Sequence, residues 1–460
     1  MSKTCEISLL AGAAVTLGAF GSANAAESQT YSTDEVRAVV ADMLADAETR
    51  SSLLQSGGGV GYDESAGFFI EDSSGNNRLN IRGLSQTRYY LNFRDDEDTI
   101  GSDTSDDFEL GFQQARTVLE FNGHVIDPSI FYNIRTQFDF DGGAAGLQWA
   151  YAGYRFDEGF QVKFGQFRTA FLREHNIRPE YQLVIERSPT NYFFDQGDSQ
   201  GVELGYMAED WRGFLAFTDG FNSANTDYTA RKTIAGEYDP VTGDLISLGN
   251  LSDTGGESDF GITGRAEIRF NGTWDQFDDF TSMPGSEMGM MLGVAGHVEY
   301  TANDRTIGAG RSTYYAWTVD FSVEGDGWNL FAAGMGGHSD VDDVVVNNIT
   351  NDTSGVKADD FGVVIQGGWF IPETDWELYG RYDVIFLDDS ERALVDDTFQ
   401  TLTFGTNWYW AGQAAKFSVD LSWFLDRANS LTRSPNSRLG FLSSDEDNQF
   451  TIRAQFQLLF

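Results

Sequence analysis

Nine basic residues share one signature: Arg82, Arg88, Arg116, Arg135, Lys163, Arg265, Arg269, Arg381 and Arg453 sit in segments that alternate apolar and polar residues, on the polar side. Alternation at period two marks a β-strand with one apolar and one wet face. A row of fixed cations on a wet face does electrostatic rather than covalent chemistry. Inside a narrow space walled by low-dielectric material, a few such charges decide which ions enter. Arg82, Arg88, Arg116 and Arg135 fall on the first three segments, which predicts one basic stripe. Glu120, Asp139, Glu267 and Asp383 share these faces. If they pair with the bases, little net field remains, and the spacing leaves both outcomes open.

Other chemistry finds little support. There is no GxSxG elbow, Walker A loop, HExxH or paired-cysteine motif. His124, His175, His297 and His338 are scattered, which argues against zinc. A rim catalytic group built on His124 or His175 has no spacing to support it. We therefore expect no catalytic residue, no metal ligand and no cofactor, although Asp95–Asp98 and Asp340–Asp343 are hard-oxygen clusters suited to weak calcium binding. The 460 residues carry 71 acids against 30 bases, a net charge of −41, which excludes nucleic-acid binding as a whole-surface property. The acids crowd the connections between strands, so the charge predicts a locally basic wall behind acidic loops.

The elements that must hold these residues are strands. Aromatics make up 14% of the chain, glycine is 51 and proline only 7. Mean hydropathy is −0.33, and no run approaches the roughly 20 apolar residues of a spanning helix. The pattern predicts sixteen strands, at 78–93, 111–125, 129–140, 146–156, 160–168, 199–208, 211–219, 259–270, 286–300, 311–324, 327–339, 358–370, 374–388, 397–410, 414–426 and 448–460. Short turns alternate with longer joins, the rhythm of outer-membrane barrels. Short 141–145 and longer 271–285 are exceptions. With apolar residues out and polar residues in, 78–460 reads as an all-β, sixteen-stranded antiparallel transmembrane barrel around a water-filled lumen.

The flanks extend this reading. Lys3, an apolar stretch from Ile7 to Phe20 and Ala23-Asn24-Ala25 predict a secretory signal over 1–25, with the lone Cys5 inside it. Residues 32–55 predict a short periplasmic helix, equally suited to a trimeric coiled coil or to lying against the barrel. Residues 56–77 follow as a linker. In 448–460, Phe456, Leu458 and Phe460 stand on the apolar face of a strand that must pair with the first. They resemble the terminal signal read by the barrel-assembly machinery. The expected setting is a Gram-negative-type outer membrane and its lipid.

The long join 169–198 is placed where pores fold a segment inward. Phe164-Gly165-Gln166-Phe167, then Glu186-Arg187-Ser188, Gly201-Val202-Glu203-Leu204 and Phe217-Thr218-Asp219-Gly220-Phe221-Asn222 follow in order. In that order they resemble the phosphate-selective porin O and P family, over roughly 78–460. The resemblance implies a homotrimer of barrels, each a pore for small solutes or inorganic anions, narrowed by this join. It makes Arg173, Arg178 and Arg187 constriction candidates, with Glu186 fixing the loop, in one reading through an ion pair with Arg187. The chain departs from a strong phosphate binder in its net charge and its lack of a lysine cluster. A general or cation-preferring pore, a barrel enzyme and a surface adhesin remain the alternatives.

Overall fold

The computed structural model describes residues 58–63, 66–94, 108–140, 142–230, 236–238, 241–242, 245–248, 257–302, 311–348, 352–388, 396–427, 438–442 and 447–460. The expected signal at 1–25, the helix at 32–55 and the acidic run at 95–98 lie outside the described residues.

A hairpin comes first, β1 (Gly59–Asp63) and β2 (Gly67–Glu71). The wall follows with β3 (Arg78–Phe93), β4 (Phe108–Val125), β5 (Asp127–Phe138), β6 (Ala145–Arg155), β7 (Phe160–Arg168), β8 (Asp198–Met207) and β9 (Trp211–Thr218). A small separate hairpin, β10 (Gly236–Tyr238) and β11 (Leu245–Leu248), lies in the next join. The wall resumes with β12 (Phe260–Asn271), β13 (Gly289–Thr301), β14 (Ser312–Gly325), β15 (Trp328–Asn347), β16 (Asp352–Phe370), β17 (Trp376–Phe386), β18 (Thr398–Ala411), β19 (Ala415–Phe424) and β20 (Gln449–Leu459). Strands β3 to β9 pair in order, β9 pairs with β12, β12 to β20 pair in order, and β20 returns to β3. All these pairs are antiparallel, so sixteen strands close the barrel expected from the sequence.

The closing seam runs from Phe450↔Phe93 to Leu459↔Leu84. Phe460 extends it: its N–H donates to the Gly83 carbonyl at 2.9 Å, and the Gly83 N–H donates back at 2.6 Å. The Phe460 ring lies over Gly83, where any Cβ would collide with it. Beyond Gly83, β3 overhangs β20 and would leave its backbone bare. Strand β2 takes over there, pairing Phe68↔Ile81 to Glu71↔Arg78. Residues 56–77 are thus not a plain linker: the unmet backbone groups of the overhang recruit a hairpin. A second difference concerns 340–357, expected as a loop. Strands β15 and β16 pair on through Asn347↔Asp352, with register shifts after Val341 and Val345. Val341 and the valine run 344–346 sustain β structure despite the acids between them.

The outward face carries exposed apolar side chains, including Leu204, Leu215, Phe217, Ile262, Trp317, Ile365 and Phe404, with a polar exception at Ser85, Thr87, Gln114 and Thr117. A face this apolar needs hydrocarbon, not water. Aromatics ring the short-turn end, where Trp376 stacks on Trp408 at 5.3 Å and Tyr206 meets Phe160 and Trp211. The opposite end carries Phe93 on Phe108 and Trp423 on Phe450.

The inward face is not uniformly polar. Tyr314, Ala316, Phe331, Ala333, Met335, Val364, Tyr379 and Phe399 form an apolar patch inside the barrel and belong to one buried cluster with the join 169–198. Apolar residues there must be covered, and the join covers them.

Deleting Phe460, or replacing Gly83 with Val, removes the last pair of seam hydrogen bonds or evicts the ring. We expect each to destabilise closure by about 1–2 kcal/mol. Heat-modifiable electrophoretic mobility of membrane-extracted protein measures the loss; an unchanged folded fraction for both variants would contradict this role of the seam.

Candidate functional site: the inner loop and the passage beside it

The join 169–198 lies inside the barrel as short pieces: α1 (Arg173–Asn176), a 3-10 turn at Pro179–Tyr181 and α2 (Pro189–Phe193). Proline at the first position suits both of the later pieces. Ser188 caps α2, accepting from the Asn191 N–H at 2.9 Å, and donates its own hydroxyl to Glu174 at 2.7 Å. Phe171, Leu172, Ile177, Leu183, Val184, Phe193 and Phe194 pack against the apolar patch of the wall. Gly362 of β16 lies beneath Thr190 and Phe194, too close for any side chain.

Irregular backbone in this position needs donors for its carbonyls. The wall supplies them. Arg88 donates to Ile185 O at 3.0 Å, Arg381 to Glu186 O at 2.8 Å, Arg265 to Phe171 O at 2.9 Å and Lys416 to Gln182 O at 3.1 Å. Asn407 reaches Leu183 O at 2.9 Å and Gln457 reaches Glu180 O at 3.0 Å. Within the loop, Arg187 donates to the carbonyls of Glu174, His175 and Ile177.

Carboxylates complete the clamp. Glu186 receives Arg88 at 2.7 Å, Arg116, and the Tyr192 hydroxyl at 2.6 Å. The structural ion pair expected between Glu186 and Arg187 is therefore replaced: Glu186 pairs with the wall, and Arg187 binds carbonyls. Glu120 joins Arg135 at 2.9 Å and Arg178; Glu180 joins the same two at 3.6 and 3.4 Å.

The apolar packing draws the loop to the β13–β18 side and leaves space along β3–β9. A cavity of about 610 Å³ opens toward the long-loop end, lined by residues including Arg116, Arg135, Arg187 and Arg438. A second, of about 750 Å³, opens toward the short-turn end, with Arg82, Lys163, Arg173, Arg178, Arg212 and Arg265. Trp149 and Arg168 line both and mark the neck between them. A third cavity of about 470 Å³ shares Arg82, Tyr151 and Arg178 with the second and reaches Asp63 at the turn-end mouth. In the first cavity five bases face Asp139, Asp195 and Asp198. In the second, counting Arg168, seven bases face Glu203, Glu267, Asp275, Asp278 and Asp279.

The structure thus separates the candidates. Arg88 is fully buried and lines neither of these cavities. Arg269 stands at the turn end, 3.4 Å from Asp210 and over the Trp274 ring. Arg82 donates to the Tyr181 hydroxyl at 2.8 Å. Lys163 pairs with Glu203 at 2.8 Å, and Arg265 with Glu267 and Asp320 at 2.7 and 2.8 Å. Arg173 donates to Ser322 at 3.0 Å and covers Phe277 and Phe280.

Sequence reasoning passed over Arg168, Arg212 and Trp149. Period two puts Arg168 on the face opposite Lys163 and Phe167; the chain leaves the strand there, so all three line the second cavity. The long turn 272–288 also folds inward: Phe277 and Phe280 are buried, and the Phe280 N–H donates to Tyr181 O at 3.1 Å. Of the two histidines weighed for catalysis, His124 meets the Gly75 carbonyl at 2.9 Å and His175 lies 2.8 Å from Asp195. His175 is in the inner loop, not the wall. Burial and the neighbouring Arg168 push its pKa down to about 4, so it is neutral at pH 7.

Glu186→Gln leaves Arg88 and Arg116 buried against a neutral partner. Breaking a buried pair of this kind costs about 3–5 kcal/mol. We expect a lower unfolding temperature and faster proteolysis within 169–198; wild-type values of both would contradict the clamp.

Several solved structures resemble the chain. The outer membrane channel DcaP of Acinetobacter baumannii is 14% identical with a TM-score of 0.49, the alignment covering 83% of this chain and 97% of that one. An anion-selective porin from Comamonas acidovorans is 10% identical with a TM-score of 0.49, covering 83% and 99%. OmpF of Salmonella typhi in complex with daunomycin is 12% identical with a TM-score of 0.49, covering 83% and 98%. No curated protein matches the sequence. The model of one family, phosphate-selective porin O and P, matches residues 87–271 and 282–458. With a closed sixteen-stranded barrel and most of its length matched, the chain belongs to the phosphate-selective porin O and P family.

Proposed function

We propose that this outer-membrane channel passes small hydrophilic solutes by diffusion and favours anions, inorganic phosphate among them. One observation carries the reading: bases outnumber acids among the residues lining both cavities on the β3–β9 side. Arg116, Arg135, Lys163, Arg173, Arg178 and Arg265 act there, with Arg82 at the turn-end part. A low-dielectric wall focuses the field of such an excess on the solute path. The competing reading is a cation-preferring pore, favoured by the net charge of −41. On our reading the long-loop end faces outside and the N-terminal segment lies in the periplasm. Three copies assemble, and Phe456, Leu458 and Phe460 serve as the terminal signal for the assembly machinery.

The zero-current potential of purified protein in a planar bilayer under a KCl gradient tests the preference. Chloride selectivity is expected; potassium selectivity would overturn the anion reading. Arg82 is the cleanest probe, because its hydrogen-bond partner is the Tyr181 hydroxyl rather than a carboxylate. Arg82→Gln should lower the chloride-to-potassium ratio about twofold, through loss of one focused charge.

In an Asp279→Asn background the ratio should also be flat between pH 5.5 and 7.5; burial raises the Asp279 carboxyl, which lines the second cavity, to about 7, so the wild type carries that separate titration. A lowered histidine pKa means His175 stays neutral in that window and gains charge only near pH 4, where anion preference rises. Linkage has the same root: the unfolded chain protonates His175 first, so stability from this group falls as pH drops from about 6.5 toward 4. A selectivity step centred near pH 6.5 would show instead that His175 titrates freely.

A further inference from the structure

Three guanidiniums converge on one indole at the neck between the two cavities. Arg135 lies 4.9 Å from the Trp149 ring centroid, and Arg168 and Arg178 lie 5.4 Å from it. They arrive from three places. Arg135 is paired with Trp149 across β5 and β6, Arg168 ends β7, and Arg178 belongs to the inner loop. The ring is itself oriented: Trp149 Nε1–H donates to Asp198 at 2.9 Å, and Asp198 lies 3.4 Å from Arg168. Trp149 and Arg135 are buried, and Arg168 and Arg178 form the more open part of the group facing the cavities.

Three cations at one point repel. Glu120 and Glu180 pair with Arg135 and Arg178, and Asp198 lies beside Arg168, and each pairing also cancels charge. A further carboxylate at position 149 would cancel more, whereas an indole attracts each guanidinium through its ring quadrupole and adds no negative charge. We propose that Trp149 is the positioning residue of the neck, holding Arg135, Arg168 and Arg178 together so that their charge acts on a passing anion. The sign of the effect rests on the anion preference proposed above. The positioning itself rests on the ring geometry.

The test compares Trp149→Leu and Trp149→Phe with the full-length wild type in planar bilayers, reading the chloride-to-potassium permeability ratio. Leu keeps apolar bulk without a π face; Phe keeps the face. Trp149→Leu should shift the ratio toward potassium by about twofold, and Trp149→Phe should restore most of the wild-type value. A Leu variant with the wild-type ratio would overturn the proposal. So would a Phe variant shifted as far as Leu, because indole volume alone would then explain the effect. If the wild type prefers potassium, the anion reading fails separately, while Trp149→Leu must still move the ratio further toward potassium.

Discussion

The structure depends on satisfying irregular backbone at the centre of a membrane barrel. Residues 169–198 make neither a wall strand nor a long helix, and buried carbonyls without donors would each cost about 1–3 kcal/mol. Arg88, Arg381, Arg265, Lys416, Asn407 and Gln457 reach in from the wall to meet them. Apolar packing places the loop against β13–β18, and these bonds fix its depth. The open space is what remains along β3–β9. Path and plug are therefore one solution to one constraint.

That constraint also sorts the charges. A cation that binds a loop carbonyl and a buried carboxylate, as Arg88 does, contributes mainly to architecture. A cation that borders a cavity, as Arg82, Lys163 and Arg178 do, can act on solute even when a carboxylate sits nearby. Glu186 and Glu120 offset the repulsion among arginines crowded between wall and loop. Pairing is thus extensive, yet the excess of bases survives on the faces that border the passage. The same chain is strongly acidic, so its net charge describes the whole molecule rather than the passage.

Much of this was legible in the sequence, for physical reasons. Strand β20 alternates cleanly because one face meets lipid and the other meets polar groups; β3 does so toward its two ends, with Leu84 buried inside and Ser85 and Thr87 outside at its middle. Their ends lie within about two residues of expectation, and closure of β20 on β3 followed from the need to pair an edge. The inner patch was less legible. In β15, Phe331, Ala333 and Met335 face inward while Leu330 and Ala332 face lipid, so both faces read as apolar and alternation says nothing about a loop packed inside. The hairpin β1–β2 was hidden because five-residue strands carry little periodicity. At the site, period two found Arg116, Arg135, Lys163 and Arg265, but could not tell lining from clamp. It missed Arg168, where the strand ends, and Trp149, because a neutral aromatic gives a search for charged inward residues nothing to find.

The central claim is that the inner loop closes the β13–β20 side and leaves the passage along β3–β9. Single cysteines probed with a charged methanethiosulfonate in open channels test it most directly, with the parent protein as the control for Cys5. Gln137→Cys and Tyr151→Cys border the cavities and should lose conductance in steps on reagent addition. Thr403→Cys and Ser418→Cys lie buried on the inner face of β18 and β19 and should show no change. Block at positions 403 and 418 with none at 137 and 151 would put the passage on the other side of the barrel and contradict the account.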